Sequence, residues 1–151
     1  MNKSLVTLLA VCVLCSLTAC AMPLSIAAPA SAPHGCDAAD IRAYLKAVRE
    51  VSSRFDDAVT LASSTSRIAL SPVISEMQTA RREAQAAEVP PCTVKAQTAL
   101  VAYMDATIGA FVLFIGDASD AEVTSAINEA VRLMDAYVAE MQRLSDEADG
   151  A

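Results

Sequence analysis

Apolar residues recur at steps of three and four in four stretches of the chain, a spacing that predicts four amphipathic helices. The first stretch, from Asp37 to about Ser63, carries Ile41, Tyr44, Leu45, Val48, Val51, Phe55, Val59 and Ala62 on one face. Asp37 fits the N-cap, Asp40 suits the positive end of the helix, and Glu50 and Arg54 form an i,i+4 pair on the outer side. The segment SSTSRIALSP interrupts, because Ser and Thr prefer caps and turns. A second helix is predicted from Pro72, with Ser71 as cap, to Glu88. Val73, Ile74, Met77, Ala80 and Ala84 face inward. Alternatively it begins near Ser66 and kinks at Pro72. The segment VPPC ends it.

The third helix runs from about Thr93 to Ile115, through Leu100, Met104, Ile108 and Phe111. GDAS, residues 116–119, breaks it. Ser119 and Glu122 then match a capping box. The fourth helix follows to about Glu147, with Val123, Ile127, Val131, Met134, Val138 and Met141 on one stripe. Short links favour antiparallel neighbours, so the expected fold is all-α: an antiparallel up-down-up-down four-helix bundle. If the first two helices are antiparallel, Cys36 and Cys92 lie at the same end and can pair. A bridge there closes a loop of about 57 residues, worth ~4 kcal/mol on the chain-entropy argument.

Composition agrees with helix: few aromatics and only four glycines among 151 residues. One weak repeat is present. Ala-Tyr-apolar occurs at residues 43–45, 102–104 and 136–138, and a shift of 59 positions also aligns Phe55 with Phe114. A duplicated helical hairpin would give this; so would chance and helical packing in an alanine-rich chain.

The start of the chain has a different pattern. Lys3 precedes an apolar run from Leu5 to Leu17, 13 residues long. That is too short to span a bilayer and has the layout of a cleaved secretory signal. The run closes on Leu17-Thr18-Ala19-Cys20. This resembles the lipobox of bacterial lipoprotein signals, an aliphatic residue and two small residues before cysteine. The resemblance implies cleavage before Cys20 and a diacylglycerol thioether on its sulfur. The competing expectation is an ordinary secretory signal cut after Ala21. Residues 1–19 are thus the signal, 20–35 a lipidated cysteine and tether, and 36–151 the helical domain. The tether, AMPLSIAAPASAPHG, is uncharged and holds three prolines. If extended it reaches roughly 45 Å. The expected location is exported and lipid-anchored to a bacterial membrane, with the lipid on Cys20 as the membrane contact.

Charge and cysteines narrow the chemistry. The whole chain carries a net charge of −7, and removing residues 1–19 takes one lysine and no acid. An acidic balance argues against nucleic-acid binding. Of five cysteines, Cys12 and Cys15 lie in the signal and Cys20 takes lipid, leaving Cys36 and Cys92 to pair in an oxidising compartment. The single histidine, His34, lies in the tether, so Glu-x-x-His di-iron pairs and His-based nucleophile systems are not expected. No cofactor, metal or catalytic constellation is expected. The spacing of Cys36, the segment STSRIAL and PPC at Cys92 resembles uncharacterised small exported helical domains of bacteria, and no activity comes with that resemblance.

One stretch exceeds what a bundle helix needs. FVLFI, Phe111 to Ile115, places five large apolar residues in a row, which go round the whole helix, whereas a core needs a stripe of about 100°. Phe55 and Phe111 each lie 19 residues past a cysteine, so both are expected ~28 Å from the bridged end. With Phe114, Ile115 and the linker residues Ile68 and Leu70, they define an apolar tip far from the tether. Such a tip is either sealed by the linkers or offers a surface to a protein partner, a second copy or a small apolar ligand. The sequence thus favours a non-enzymatic interaction or structural module, with a binding module for a small apolar ligand as the alternative.

Overall fold

The computed structural model describes residues 36–150, which hold four α-helices and two short 3₁₀ turns and no strand. The expectations for the signal, Cys20, the tether and His34 fall on residues 1–35 and lie outside the described residues.

Helix α1 spans Ala38–Ser64. Asp37 accepts from the Asp40 N–H and Asp40 accepts from the Asp37 N–H, a reciprocal cap. Helix α2 spans Leu70–Ala86, after a 3₁₀ turn at Arg67–Ala69. It starts two residues before Pro72, so the proline falls in its first turn. The N–H it lacks has no intrahelical partner there. A second 3₁₀ turn, Pro91–Thr93, leads into α3, Val94–Ile115.

The link from α3 to α4 is set by backbone geometry. The Ala118 N–H donates to the Leu113 carbonyl at 3.1 Å and the Asp117 N–H to the Phe114 carbonyl at 3.4 Å. This is a Schellman turn, and its left-handed position is Asp117, with φ of 60°. Gly116, the residue best suited to that conformation, keeps a negative φ of −76°. Helix α4, Asp120–Gly150, opens on the expected box: the Ser119 N–H donates to Glu122 at 2.9 Å, and the Glu122 N–H to the Ser119 hydroxyl at 3.4 Å.

Each helix packs on the next in sequence, and α1 also meets α4. The most tightly buried side chains include Ile41, Phe55, Leu70, Met77, Leu100, Met104 and Leu144, drawn from all four helices. Cys36 and Cys92 sit at disulfide distance, with Cα atoms 5.8 Å apart. Polar ties gather at the same end. Arg42 donates to the Ala148 carbonyl, Lys95 pairs with Glu140, and Arg143 reaches both Glu140 at 2.9 Å and the Cys92 carbonyl at 3.4 Å. Elsewhere the α1–α2 link meets the α3–α4 link through an Arg67–Asp117 ion pair.

Helix α4 turns differently from its predicted stripe. Ala130, Tyr137, Leu144 and Ala148 are buried, with Ala126 and Leu133 partly so. Ile127, Val131, Met134 and Val138 are exposed instead. Two apolar stripes overlap on this helix. The stripe of Ala130, Tyr137, Leu144 and Ala148 takes the interior, and α4 makes its most extensive helix contact with α3.

Candidate functional site

The outward stripe of α4 borders a groove between α1, α3 and α4. Val59, Ala62, Ser63 and Thr65 supply the α1 wall, Tyr103, Thr107, Ala110, Phe111 and Phe114 the floor, and Val123, Ile127, Ala130, Val131 and Met134 the α4 wall. Its volume is about 540 Å³ and it opens to solvent. No side chain lining it carries a formal charge. Of its hydroxyls, Thr107 donates to the Tyr103 carbonyl at 2.9 Å and Ser63 to the Val59 carbonyl at 2.9 Å, each satisfied within its own helix.

One polar cluster lies against the groove. The Tyr103 hydroxyl donates to Asp56 at 3.2 Å. The Tyr103 ring takes Phe55 edge-on at 5.6 Å between centroids, and stacks nearly parallel with Tyr137 at 6.5 Å. Burial, together with the Asp56 charge, pushes the Tyr103 hydroxyl up to about 12. Burial also raises Asp56, against the hydrogen bond from Tyr103, which favours the carboxylate. Tyr137 is raised by burial too. A hydroxyl that holds its proton so firmly is a donor to Asp56, not a base.

The six residues of the expected tip take different settings. Phe111 and Phe114 line the groove. Phe55 is fully buried in the core, at 0% exposure, and Leu70 is equally buried at the start of α2. Ile115 is half-buried against the core. Ile68, on the first 3₁₀ turn, is 95% exposed. The linkers cover the tip in part: the Arg67 guanidinium lies 4.7 Å from the centre of the Phe114 ring. The α4 wall and the α1 wall were not singled out from sequence. The signal for α4 was there, in the small residues Ala126 and Ala130 alternating with the larger stripe.

Helix α3 has an unusual composition. Together with the 3₁₀ turn before it, it makes a stretch, Pro91–Ile115, of 25 residues with a mean hydropathy of 1.8 over its most apolar window, enough by length and composition to cross a membrane. Only 28% of that window is buried. In this fold the excess shows as Val112, Leu113 and Phe114 at the surface.

Two smaller hollows lie elsewhere. One, of about 420 Å³ between α1 and α2, is rimmed by Arg54, Asp57 and Glu76. The other, of about 310 Å³ beside Tyr44, is crossed by Gln97, which accepts from the Tyr44 hydroxyl at 3.2 Å and donates to the Ala84 carbonyl. No group of histidine, cysteine and acidic residues suited to a metal ion occurs among the described residues.

No protein-family model matches the chain, and neither a curated protein nor a solved structure resembles it significantly.

Proposed function

We propose that this chain is a non-enzymatic cell-envelope lipoprotein whose helical domain is an interaction or structural module. Its anchor is lipid on Cys20, and its contact surface is the groove floored by Phe111 and Phe114. The domain is an antiparallel up-down-up-down bundle stapled by a Cys36–Cys92 disulfide. That order of helices is supported by the ties described above. Cys36, Cys92, Lys95, Glu140 and Ala148 meet in one region, while Arg67 and Asp117 join the two alternate links.

The observation that carries the reading is a contrast in burial. The core is closed, yet large apolar side chains stand exposed beside an open, uncharged groove. Exposed apolar area gathered in one place is the mark of a contact surface. The volume of the groove also falls in the range of small-ligand sites, which supports the alternative reading of a binding module for a small apolar molecule. The open mouth favours a macromolecular contact.

Fractionation tests the anchor. The wild-type chain is expected in the membrane fraction, and Cys20→Ser is expected to leave it. Membrane retention of a processed Cys20→Ser chain would reject the lipid. Titration with decanoic acid, followed by thermal unfolding, separates the two uses of the groove. A rise in Tm that grows with concentration would favour the ligand reading.

A further inference from the structure

We propose that the exposed stripe of α4 pairs with the same stripe of a second copy, so that anchored chains associate as a parallel two-helix contact over the mouth of the groove. This rests on the anchored-module reading above and names its partner.

Three observations lead there. The first is spacing. Ile127, Val131, Met134 and Val138 step by four, three and four, the seam of a coiled coil. Val131 and Val138 share one position of the seven-residue repeat, and Ile127 and Met134 share the other. A β-branched residue at the first of these positions favours two parallel strands.

The second is charge. The chain is acidic overall, so two copies repel except where charge is missing. The stripe and the groove beside it carry none. The nearest ion pair on this helix, Glu129 with Arg132, is satisfied within its own chain.

The third is area. The four stripe residues are 38–56% exposed, and Phe114 beside them is 36% exposed. At roughly 200 Å² for a large apolar side chain, these five present on the order of 450 Å² per copy and twice that for a pair. A specific interface needs about 1,000 Å² in total. The pair is therefore weak in free solution and depends on a shared membrane to raise the local concentration.

Cysteine cross-linking of the full chain in its native membranes tests this. Val138→Cys is expected to form a disulfide-linked dimer on mild oxidation, at least fivefold more than Ala136→Cys on the outward side of α4. Adding Val131→Asp or Val131→Lys is expected to reduce the yield to that of Ala136→Cys. Protection of Cys36 and Cys92 from alkylation checks that each variant is folded. Equal yields from Val138→Cys and Ala136→Cys would overturn the pairing. So would a dimer that forms only when Ile127→Cys and Val138→Cys chains are mixed, since that requires antiparallel helices. Fractionating the same samples separates the two proposals. A membrane-bound chain without the cross-link rejects the pair and keeps the anchor. A cross-linked chain found in the soluble fraction rejects the anchor.

Discussion

At the cysteine end, α1, α3 and α4 are tied together. Cys36 meets Cys92, Arg42 reaches the last turn of α4, and Glu140 receives both Lys95 and Arg143. Those two cations hold the Glu140 carboxyl below the usual carboxylate range. At the Phe114 end the ties thin to one exposed ion pair, Arg67 with Asp117, and the helices leave a groove between them. The same domain thus holds a region where Cys36 and Cys92 sit at disulfide distance and another where a groove stays open. A small domain has little free energy to spare. Holding the helices firmly at one end lets the other expose apolar surface without unravelling.

Breaking the tied end should have the largest effect. Replacing Cys36 and Cys92 together with serine is expected to lower stability by about 4 kcal/mol, and Tm by about 15 °C. Thermal unfolding followed by helix circular dichroism measures it. A change below 1 kcal/mol would show that the pair adds little and would undercut the contrast.

The next comparison lies within one helix. Leu144→Ala, at the buried end of α4, should cost about 3 kcal/mol. Val138→Ala, six residues earlier on the exposed stripe, should stay within about 0.5 kcal/mol. Urea titration of both variants decides it; equal costs would mean that the stripe is part of the core.

Alkaline pH examines the join between the two regions. The native state holds the Tyr103 proton more tightly than the unfolded chain does. That contribution to stability is complete below pH ~10, where free tyrosine titrates, and is lost as pH rises through about 12. Burial raises Tyr44 and Tyr137 as well. Phenolate absorbance and loss of helix should therefore appear together, above pH ~10. Phenolate forming at the ordinary value with helix intact would show the three hydroxyls to be in water.

The smallest effect belongs to the open end. Asp117→Gly relieves the left-handed backbone but removes the partner of Arg67. The two nearly cancel, leaving a gain of about 0.5 kcal/mol. A loss of more than 1 kcal/mol would make the Arg67 pair a real clamp on the groove.

The helices were legible because their apolar steps and caps are local. Asp37 with Asp40, and Ser119 with Glu122, end up as the spacing of their side chains requires. The facing of α4 was not legible. Its two apolar stripes have the same period, and periodicity cannot choose between them. The choice is made by tertiary packing, most of it against α3, which buries Tyr137 and Leu144. Leu70 was hard to place for a related reason. With Ser71 read as the cap it falls in a linker, but the helix starts earlier and turns it fully inward.

Gln97 settles a question that hydrophobicity leaves open. Helix α3 is apolar nearly all round, so burial alone gives it no preferred rotation about its own axis. The Gln97 amide must face the Tyr44 hydroxyl of α1 and the last turn of α2 together. Asp105, further along, takes two guanidinium hydrogen bonds from Arg81, each 2.8 Å long. Both demands are met at only one angular setting. Two polar side chains therefore act as the key that clocks a featureless cylinder, and so decide which of its greasy faces the molecule shows to the outside.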